Sequence, residues 1–322
     1  MTALPRLGVV VVLHRSADVI DGCLATLLAS GGVALDVVAV DNACPEDSAA
    51  RARAARVPPP HRLRVIATGR NGGFAAGVNA GLRVLLEDPD LDRFWILNPD
   101  TLVPPGTAAA FATHPAPGGF GLIGGRVLYA DPPGRVQIDG GVIDRATGRT
   151  RNLNQGAPAD APPPGRPADF VTGASLVASR EMIARAGPMP EEYFLYYEEV
   201  AWAAARGDLP ILHCPAAVVR HRAGSSIGSV APGRGPSVFS TWFLHRARLR
   251  FVRRHLRRSL AGALAFSTAK AAREVLRGRP RHAAAILGAS FDRPPPREVR
   301  DRLSPDALAV VTGDGTGRRS TR

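Results

Sequence analysis

The chain has 322 residues, 45% of them hydrophobic and 21% charged, a composition that excludes a disordered or fibrous chain and leaves ample material for a core. Three cysteines, Cys23, Cys44 and Cys214, show no paired spacing, which excludes a disulfide framework and a cysteine-rich zinc site. The formal charge of +13 is local: residues 1–240 hold 22 basic and 22 acidic side chains, whereas residues 241–300 hold 15 basic and 3 acidic, so any nucleic acid or anionic membrane would concern only the C-terminal part.

Leu7–Leu13 is an unbroken apolar run with four consecutive valines, the pattern of a strand buried on both faces. Ala17–Ala29 has helical spacing, Leu35–Val40 predicts a second buried strand, Ser48–Arg56 a helix and Arg64–Ala67 a third strand. Phe74–Leu86 reads as helix and Phe94–Leu97 as a fourth strand ending on Asn98-Pro99-Asp100. Strand and helix in alternation require crossover connections, hence an α/β fold with a mainly parallel central sheet flanked by helices. Beyond Asp100, Gly121–Tyr129 and Arg135–Asp144 predict short strands, Ala157–Pro167 a Pro/Ala-rich loop, Phe170–Ala178 a strand, Tyr196–Arg206 a helix and Ile211–Val219 a last strand with His221 just past it. Gly224–Pro236 reads as a linker, Ser237–Arg277 and Arg281–Ser290 as helices, and the chain from Thr312 as frayed. No segment reaches the ~18 uncharged apolar residues of a spanning helix. Val9–Leu13 lacks the flanks of a signal peptide, so the expected compartment is the cytoplasm.

Ligands of parallel sheets bind at the carboxyl ends of strands, where several motifs cluster. Asp41-Asn42 ends the second strand; a carboxylate there can accept from the imide N–H of a uracil or thymine, or can simply form an Asx turn before Pro45-Glu46-Asp47. The run from Arg70 to Gly81 contains Asn71, Gly73 and Asn79 among small residues, which suits close approach of a helix start to a ligand and equally suits tight packing on the sheet. It does not match GxGxxG, which disfavours a dinucleotide-binding oxidoreductase. Asn98-Pro99-Asp100 offers oxygen ligands for a hard divalent cation, or a turn. Glu198-Glu199 behind Tyr193–Tyr197 is an adjacent acid pair, suited to a raised-pKa base or to the first turn of a helix.

In this order, Asp41, the Asn71–Gly81 block, Asn98-Pro99-Asp100, Val171–Ala174, Tyr193–Glu199 and His221 resemble the family 2 glycosyltransferases of GT-A fold, nearest to the bacterial rhamnosyltransferase-like branch. The resemblance covers about residues 7–228 and continues through Arg246–Arg250. It implies a GT-A domain over residues 1–228, a basic helical extension over 237–300 and a tail over 301–322. It further implies that Asp41, Asn42, Asn71, Gly73 and Asn79 line the nucleoside of a dTDP- or UDP-sugar. Asn98 and Asp100 would stand in the position of the DxD motif, with Asp100 and His221 holding Mg²⁺ or Mn²⁺. Glu199 would be the catalytic base, with Glu198 its rival. The implied reaction is a single inverting displacement that moves a sugar, rhamnose by the branch resemblance, to a glycan or lipid-linked acceptor of the cell envelope.

The sequence departs from the family at Leu13-His14-Arg15 and at Ala201, where the family carries an acid. Ala201 motivates a second reading, a catalytically impaired nucleotide-sugar- or glycan-binding partner. A nucleotidyltransferase ranks third, because the N-terminal segment lacks a Gly-rich basic triphosphate loop. In the basic part, Leu249, Val252, Leu256 and Leu260 alternate at helical spacing with arginines from Arg246 to Arg258. This predicts a packed helix with a solvated arginine face, an anionic-membrane surface over residues 241–300, or both, placing the protein peripherally on the inner face of the membrane. Scarce aromatics argue against nucleic acid.

Overall fold

The valine run lies within β1 (Arg6–Leu13), every residue from Leu7 onward buried. The computed structural model describes residues 3–222 and 235–313. The first half follows the predicted alternation: α1 (Ile20–Leu27), β2 (Ala34–Asp41), α2 (Ser48–Ala54), β3 (Arg62–Ala67), α3 (Phe74–Leu86) and β4 (Arg93–Leu97). The second half runs β5 (Thr101–Leu102), α4 (Thr107–Thr113), β6 (Leu122–Tyr129), β7 (Val136–Ile138), β8 (Gly141–Ile143), β9 (Thr150–Asn152), β10 (Ser175–Ser179), α5 (Arg180–Ala186), α6 (Glu198–Ala204) and β11 (Ile211–His221). The C-terminal part is helical: α7 (Val238–His255), α8 (Leu260–Leu276), α9 (Pro280–Ser290), α10 (Arg297–Arg300) and α11 (Pro305–Thr312).

A nine-stranded sheet has the order β3-β2-β1-β4-β10-β6-β11-β5, with β7 paired to β6. The pairs β3–β2, β2–β1 and β1–β4 are parallel, as crossover helices require. β10 enters antiparallel between β4 and β6, β6 and β11 are parallel again, and β5 closes the edge antiparallel to β11. Helix α3 packs directly on the sheet. A Cβ at Gly77 would meet Val12 at 2.6 Å and one at Gly81 would meet Val10 at 2.5 Å, so these glycines serve close helix–sheet approach, the packing alternative of the sequence reading.

Two differences from the sequence reading have clear causes. The strand expected over Phe170–Ala178 begins only at Ser175, because Gly173-Ala174 turns the chain, closed by Ser175 N–H donating to Thr172 O at 3.2 Å. Helix α5 follows β10 without a linker: the Ser179 hydroxyl accepts from the Met182 N–H at 2.9 Å, capping a helix in the very residue that ends the strand. The Gly224–Pro236 linker and the frayed end lie largely outside the described residues.

The Pro/Ala-rich segment is irregular and is held by Arg126 of β6. Its guanidinium pairs with Asp139 at 2.6 Å, both side chains nearly buried, and donates to the carbonyls of Ala159 and Ala161 at 2.7 Å each. Helix α7 is capped by Ser237, whose hydroxyl accepts from Ser240 N–H. It is buried on more than one side: Ala247 and Phe251 join the main core, while Phe239, Trp242 and Phe243 form a second cluster with Phe194, Leu195, Ala285, Val299 and Val311. The expected arginine face is therefore only partly solvated. Arg246 and Arg248 are buried; Arg246 donates to Val311 O, and Arg248 to the carbonyls of Thr147 and Ala263 and to Ser267 Oγ. A helix sandwiched between the sheet body and α8–α9 keeps only part of its surface free, at Leu244 and Arg254, and the cations on its buried sides point at carbonyls.

Candidate active site

Strand order reverses between β1 and β4, since the chain runs outward through β2 and β3 before returning to β4 on the other side of β1. A crevice forms at the carboxyl ends of strands at such a switch point. Here it is a cavity of about 470 Å³. His14 and Arg15 follow β1 into it, Asn42 and Ala43 follow β2, Asn71 and Gly73 precede α3, and Asn98-Pro99-Asp100 follow β4.

The first side of the cavity is a hydrogen-bonded wall. Asn42 Nδ2 donates to Asn71 Oδ1 at 3.2 Å and to Gly73 O at 3.0 Å, the Thr68 hydroxyl donates to Asn42 Oδ1 at 3.2 Å, and Gly73 N–H donates to Asn71 Oδ1 at 3.0 Å. Both asparagines shape the wall through bonds within the chain. Burial lowers the His14 pKa, so a neutral imidazole stands beside Asn71, 3.4 Å from its Nδ2. Asp41 is not among the lining residues; its Oδ1 accepts from Cys44 N–H at 2.8 Å, the Asx turn weighed as its alternative role. Asn79 is not brought to the cavity. Its amide pairs both ways with the Met189 backbone at 2.9 Å and reaches Glu191 at 2.8 Å, tying α3 to the loop that precedes the acid pair.

The second side is a corner built by pairing β5 with β11, which sets His221 opposite Thr101. His221 Nε2 lies 3.1 Å from Asp100 Oδ1, both side chains about 5% exposed, and 3.4 Å from Asn98 Nδ2. Its Nδ1 lies 2.9 Å from Gln137 Oε1 on β7. With Nδ1–H donated to that amide oxygen, Nε2 carries a lone pair facing a carboxylate oxygen, an arrangement that calls for a proton or a cation between them. The donor set of carboxylate, imidazole and amide therefore fits a divalent cation that draws its remaining ligands from substrate phosphates. No group of three His, Cys, Asp or Glu suited to a metal occurs among the described residues, so the chain alone supplies an incomplete shell.

The acid pair opens α6. Phe194, Tyr196 and Tyr197 all have positive φ, 62°, 68° and 68°. For bulky residues this is strained, on the order of 1–3 kcal/mol each. The strain is held from both sides. Phe194 stacks on Phe243 at 5.4 Å and accepts at its carbonyl from Phe74 N–H at 3.0 Å, while a Cβ at Gly73 would meet that carbonyl at 2.5 Å. Glycine at 73 thus lets the wall and the acid loop touch. Glu198 is buried and its Oε2 has no hydrogen-bond partner among the described residues; burial, then the Glu199 charge, pushes its carboxyl well above the usual range. Glu199 is half-buried, and burial pushes it up to about 7. Both line the cavity. Ala201 does not: it is 1% exposed and packs in the main core.

Sequence reasoning had Phe194, Leu195 and Tyr196 only as part of the Tyr193–Glu199 motif and missed the rest of the far wall. Phe194, Leu195, Tyr196 and Phe239 line it, with Asp301–Ser304 from the end of α10 onward. No local signal marks residues 301–304, because their contact with the site is purely tertiary.

Comparison with known proteins gives the family of residues 8–156. The family described as Glycosyl transferase family 2 matches residues 8–156. Those residues belong to family 2 of the glycosyltransferases. The chain is also 23% identical over 232 residues to the low-salt glycan biosynthesis hexosyltransferase Agl10 of Haloferax volcanii, spanning 66% of each chain. Its fold is similar to that of the mannosyltransferase PcManGT from Pyrobaculum calidifontis, solved in complex with GDP-Man and Mn²⁺, with a TM-score of 0.54 at 16% identity over 90% of this chain and 87% of that one. S. aureus TarS has a TM-score of 0.52 at 14% identity, covering 92% of this chain and 50% of TarS. The glycosyltransferase fold here is GT-A, a mixed sheet with its site at the switch point.

Proposed function

We propose that the protein transfers a sugar from a nucleotide-sugar to a glycan or lipid-linked acceptor with inversion at the anomeric carbon. The observation that carries this reading is the acid pair with raised pKa opening into the same cavity as the Asp100–His221 corner. The donor is a dTDP- or UDP-sugar, rhamnose by the sequence resemblance, its nucleoside against the wall of Asn42, Asn71 and Gly73. By the sequence resemblance Asp41 would accept from the pyrimidine N–H, from its place behind the residues that line the cavity. Asp100 and His221, with Asn98 beside them, would hold Mg²⁺ or Mn²⁺, which neutralises the departing diphosphate. Glu199 takes the proton from the acceptor hydroxyl, and the released oxygen attacks the face opposite the leaving group. Glu198, the more deeply buried, stays protonated at neutral pH. Ala201 lies in the core, so the impaired-partner reading gains nothing from it.

Thermal-shift titration with UDP, dTDP, GDP and their sugars, each with and without Mn²⁺, tests the reading, because a ligand stabilises the state it binds. The expected result is a metal-dependent shift for UDP or dTDP and their sugars. No shift with any nucleotide would overturn it. A pH profile follows from the acids. The base works ionised, so kcat should fall as pH drops through about 7, roughly tenfold per pH unit below it, as a property of the coupled pair. A kcat that stays flat down to pH 5 would remove Glu199 from this role.

We also propose that the α8–α9 hairpin meets an anionic membrane surface. Leu276 is 87% and Val275 55% exposed at its tip, with Arg273, Arg277 and Arg281 exposed around them; each basic residue near such a surface contributes about 1 kcal/mol. No helix among the described residues is long and apolar enough to cross a membrane. The protein should co-sediment with phosphatidylserine vesicles at low salt, and Leu276→Glu should weaken this by about tenfold. Absence of co-sedimentation at low salt would end the membrane role.

A further inference from the structure

The two sides of the cavity differ in kind. The wall described above is polar and self-bonded, whereas the far wall is apolar and aromatic and ends in a cation. Arg302 lies with its guanidinium carbon 4.5 Å from the centre of the Phe239 ring, and its side chain makes no hydrogen bond or ion pair among the described residues. Its neighbour Asp301 is engaged elsewhere, accepting from Arg297 Nε at 3.3 Å. Phe239 packs on Phe243 at 4.8 Å, and Leu303 packs against the same cluster as Phe194 and Leu195.

A guanidinium seated over an aromatic ring with no hydrogen bond of its own keeps its N–H donors for a ligand, and a guanidinium can grip a phosphate through two parallel hydrogen bonds. It lines the same cavity as the acid pair. Next to it stand Phe194, Leu195, Phe239 and Leu303, an apolar patch of the wall. We propose that this wall is the acceptor subsite and that it selects an acceptor carrying a phosphate, with Arg302 on the phosphate and Phe194, Leu195, Phe239 and Leu303 against the apolar chain beyond it. A sugar joined through phosphate to a lipid presents hydroxyl, anion and hydrocarbon in turn, matching the acid pair, Arg302 and the apolar wall. The inference rests on the transferase reading and lies outside residues 8–156, the segment matched by the family.

Isothermal titration of the full chain with decyl phosphate, decyl glucoside, glucose 1-phosphate and UDP tests it, comparing wild type with Arg302→Ala, Arg302→Lys and a surface control on α2, Arg53→Ala. Arg302→Ala is expected to weaken decyl phosphate by about 10- to 100-fold, the loss of a charge-assisted contact, with Arg302→Lys intermediate and Arg53→Ala unchanged. Decyl glucoside, which lacks the anion, and UDP should change less than about twofold in Arg302→Ala. Binding of decyl phosphate without glucose 1-phosphate identifies a lipid-borne source; binding of glucose 1-phosphate alone identifies a soluble one and removes the apolar wall from the proposal. Equal affinity of Arg302→Ala and wild type for decyl phosphate overturns the subsite, and a parallel loss of UDP affinity moves Arg302 to the donor. Failure of UDP to bind wild type in any metal would instead sink the transferase reading while leaving the decyl phosphate comparison readable.

Discussion

Glu199→Gln is expected to lower the transfer rate by about 10²–10⁴-fold, with the affinity for the nucleoside diphosphate nearly unchanged. The amide keeps the size and shape of the carboxyl but cannot take a proton. The nucleoside wall is made of bonds among Asn42, Asn71 and Gly73 that neither acid touches, so donor binding is insulated from the change. Glu198→Gln should behave differently. Burial holds that carboxyl in its neutral form, and glutamine is neutral as well, so the rate should fall far less. In wild type the pair binds a proton in the folded state at pH values where free glutamate has lost it, and the stabilisation this gives fades as pH rises from about 4.5 through about 7. At pH 8 Glu198→Gln should therefore unfold at a higher temperature than wild type. Single-turnover rates and thermal melts on the two variants check both points; a larger rate loss in Glu198→Gln would reverse the assignment of the base.

Arg126→Met should destabilise the fold by about 3–5 kcal/mol, the cost of leaving a buried carboxylate without its partner. Asp139 is fully buried, and Arg126 pairs with it at 2.6 Å. The same guanidinium fixes the carbonyls of Ala159 and Ala161, so the Pro/Ala-rich segment loosens as well. Replacing both partners, Arg126→Met with Asp139→Leu, should cost less than the single change, because no orphaned charge remains. Urea unfolding of the three variants measures this. Gln137 sits on β7 two residues from Asp139, and its amide oxygen faces His221, so the single variant should also weaken Mn²⁺-dependent nucleotide binding. An unfolding midpoint equal to that of wild type would show that the pair carries no net stability.

How much of this was legible in the sequence depended on how local each cause was. The parallel half could be read from runs such as Val9–Val12 and Leu35–Val40, since burial on both faces leaves no alternation to misread. Helix α3 had the predicted limits, Phe74–Leu86. Helices α4 and α5 escaped although α2 and α6, equally short, did not: α5 buries only Met182 and α4 has Phe111 as its one large apolar side chain, so neither shows a period. The acid pair and the Asn98–Asp100 turn were visible as types, though each had a bland rival; only their order along the chain favoured a site. Asn79 was legible as an oddity in a packing helix, yet its use, a clasp on Met189, lies 110 positions away. Arg246 and Arg248 looked solvated because amphipathic spacing says nothing about a second layer of helices. Of the far wall, Phe194–Tyr196 lay within the Tyr193–Glu199 motif, whereas Phe239 and Asp301 to Ser304 carry no motif and left no trace.

The cavity draws on residues from Val12 to Ser304, and that span has a consequence for a chain made from one end. A ribosome that has completed the family segment, residues 8–156, has made the nucleoside wall but neither acid. By residue 222 the acids and His221 exist, yet Phe194 and Leu195 still lack the helices that cover them, leaving an apolar surface of the kind chaperones hold. The strained turn at Phe194–Tyr197 gains its Phe243 support once α7 is made, and the last wall is set only when α10 and the residues after it have emerged. On the proposed reading, transfer chemistry would be deferred to the end of synthesis, and a truncated product would have the proposed donor wall but no finished place for an acceptor.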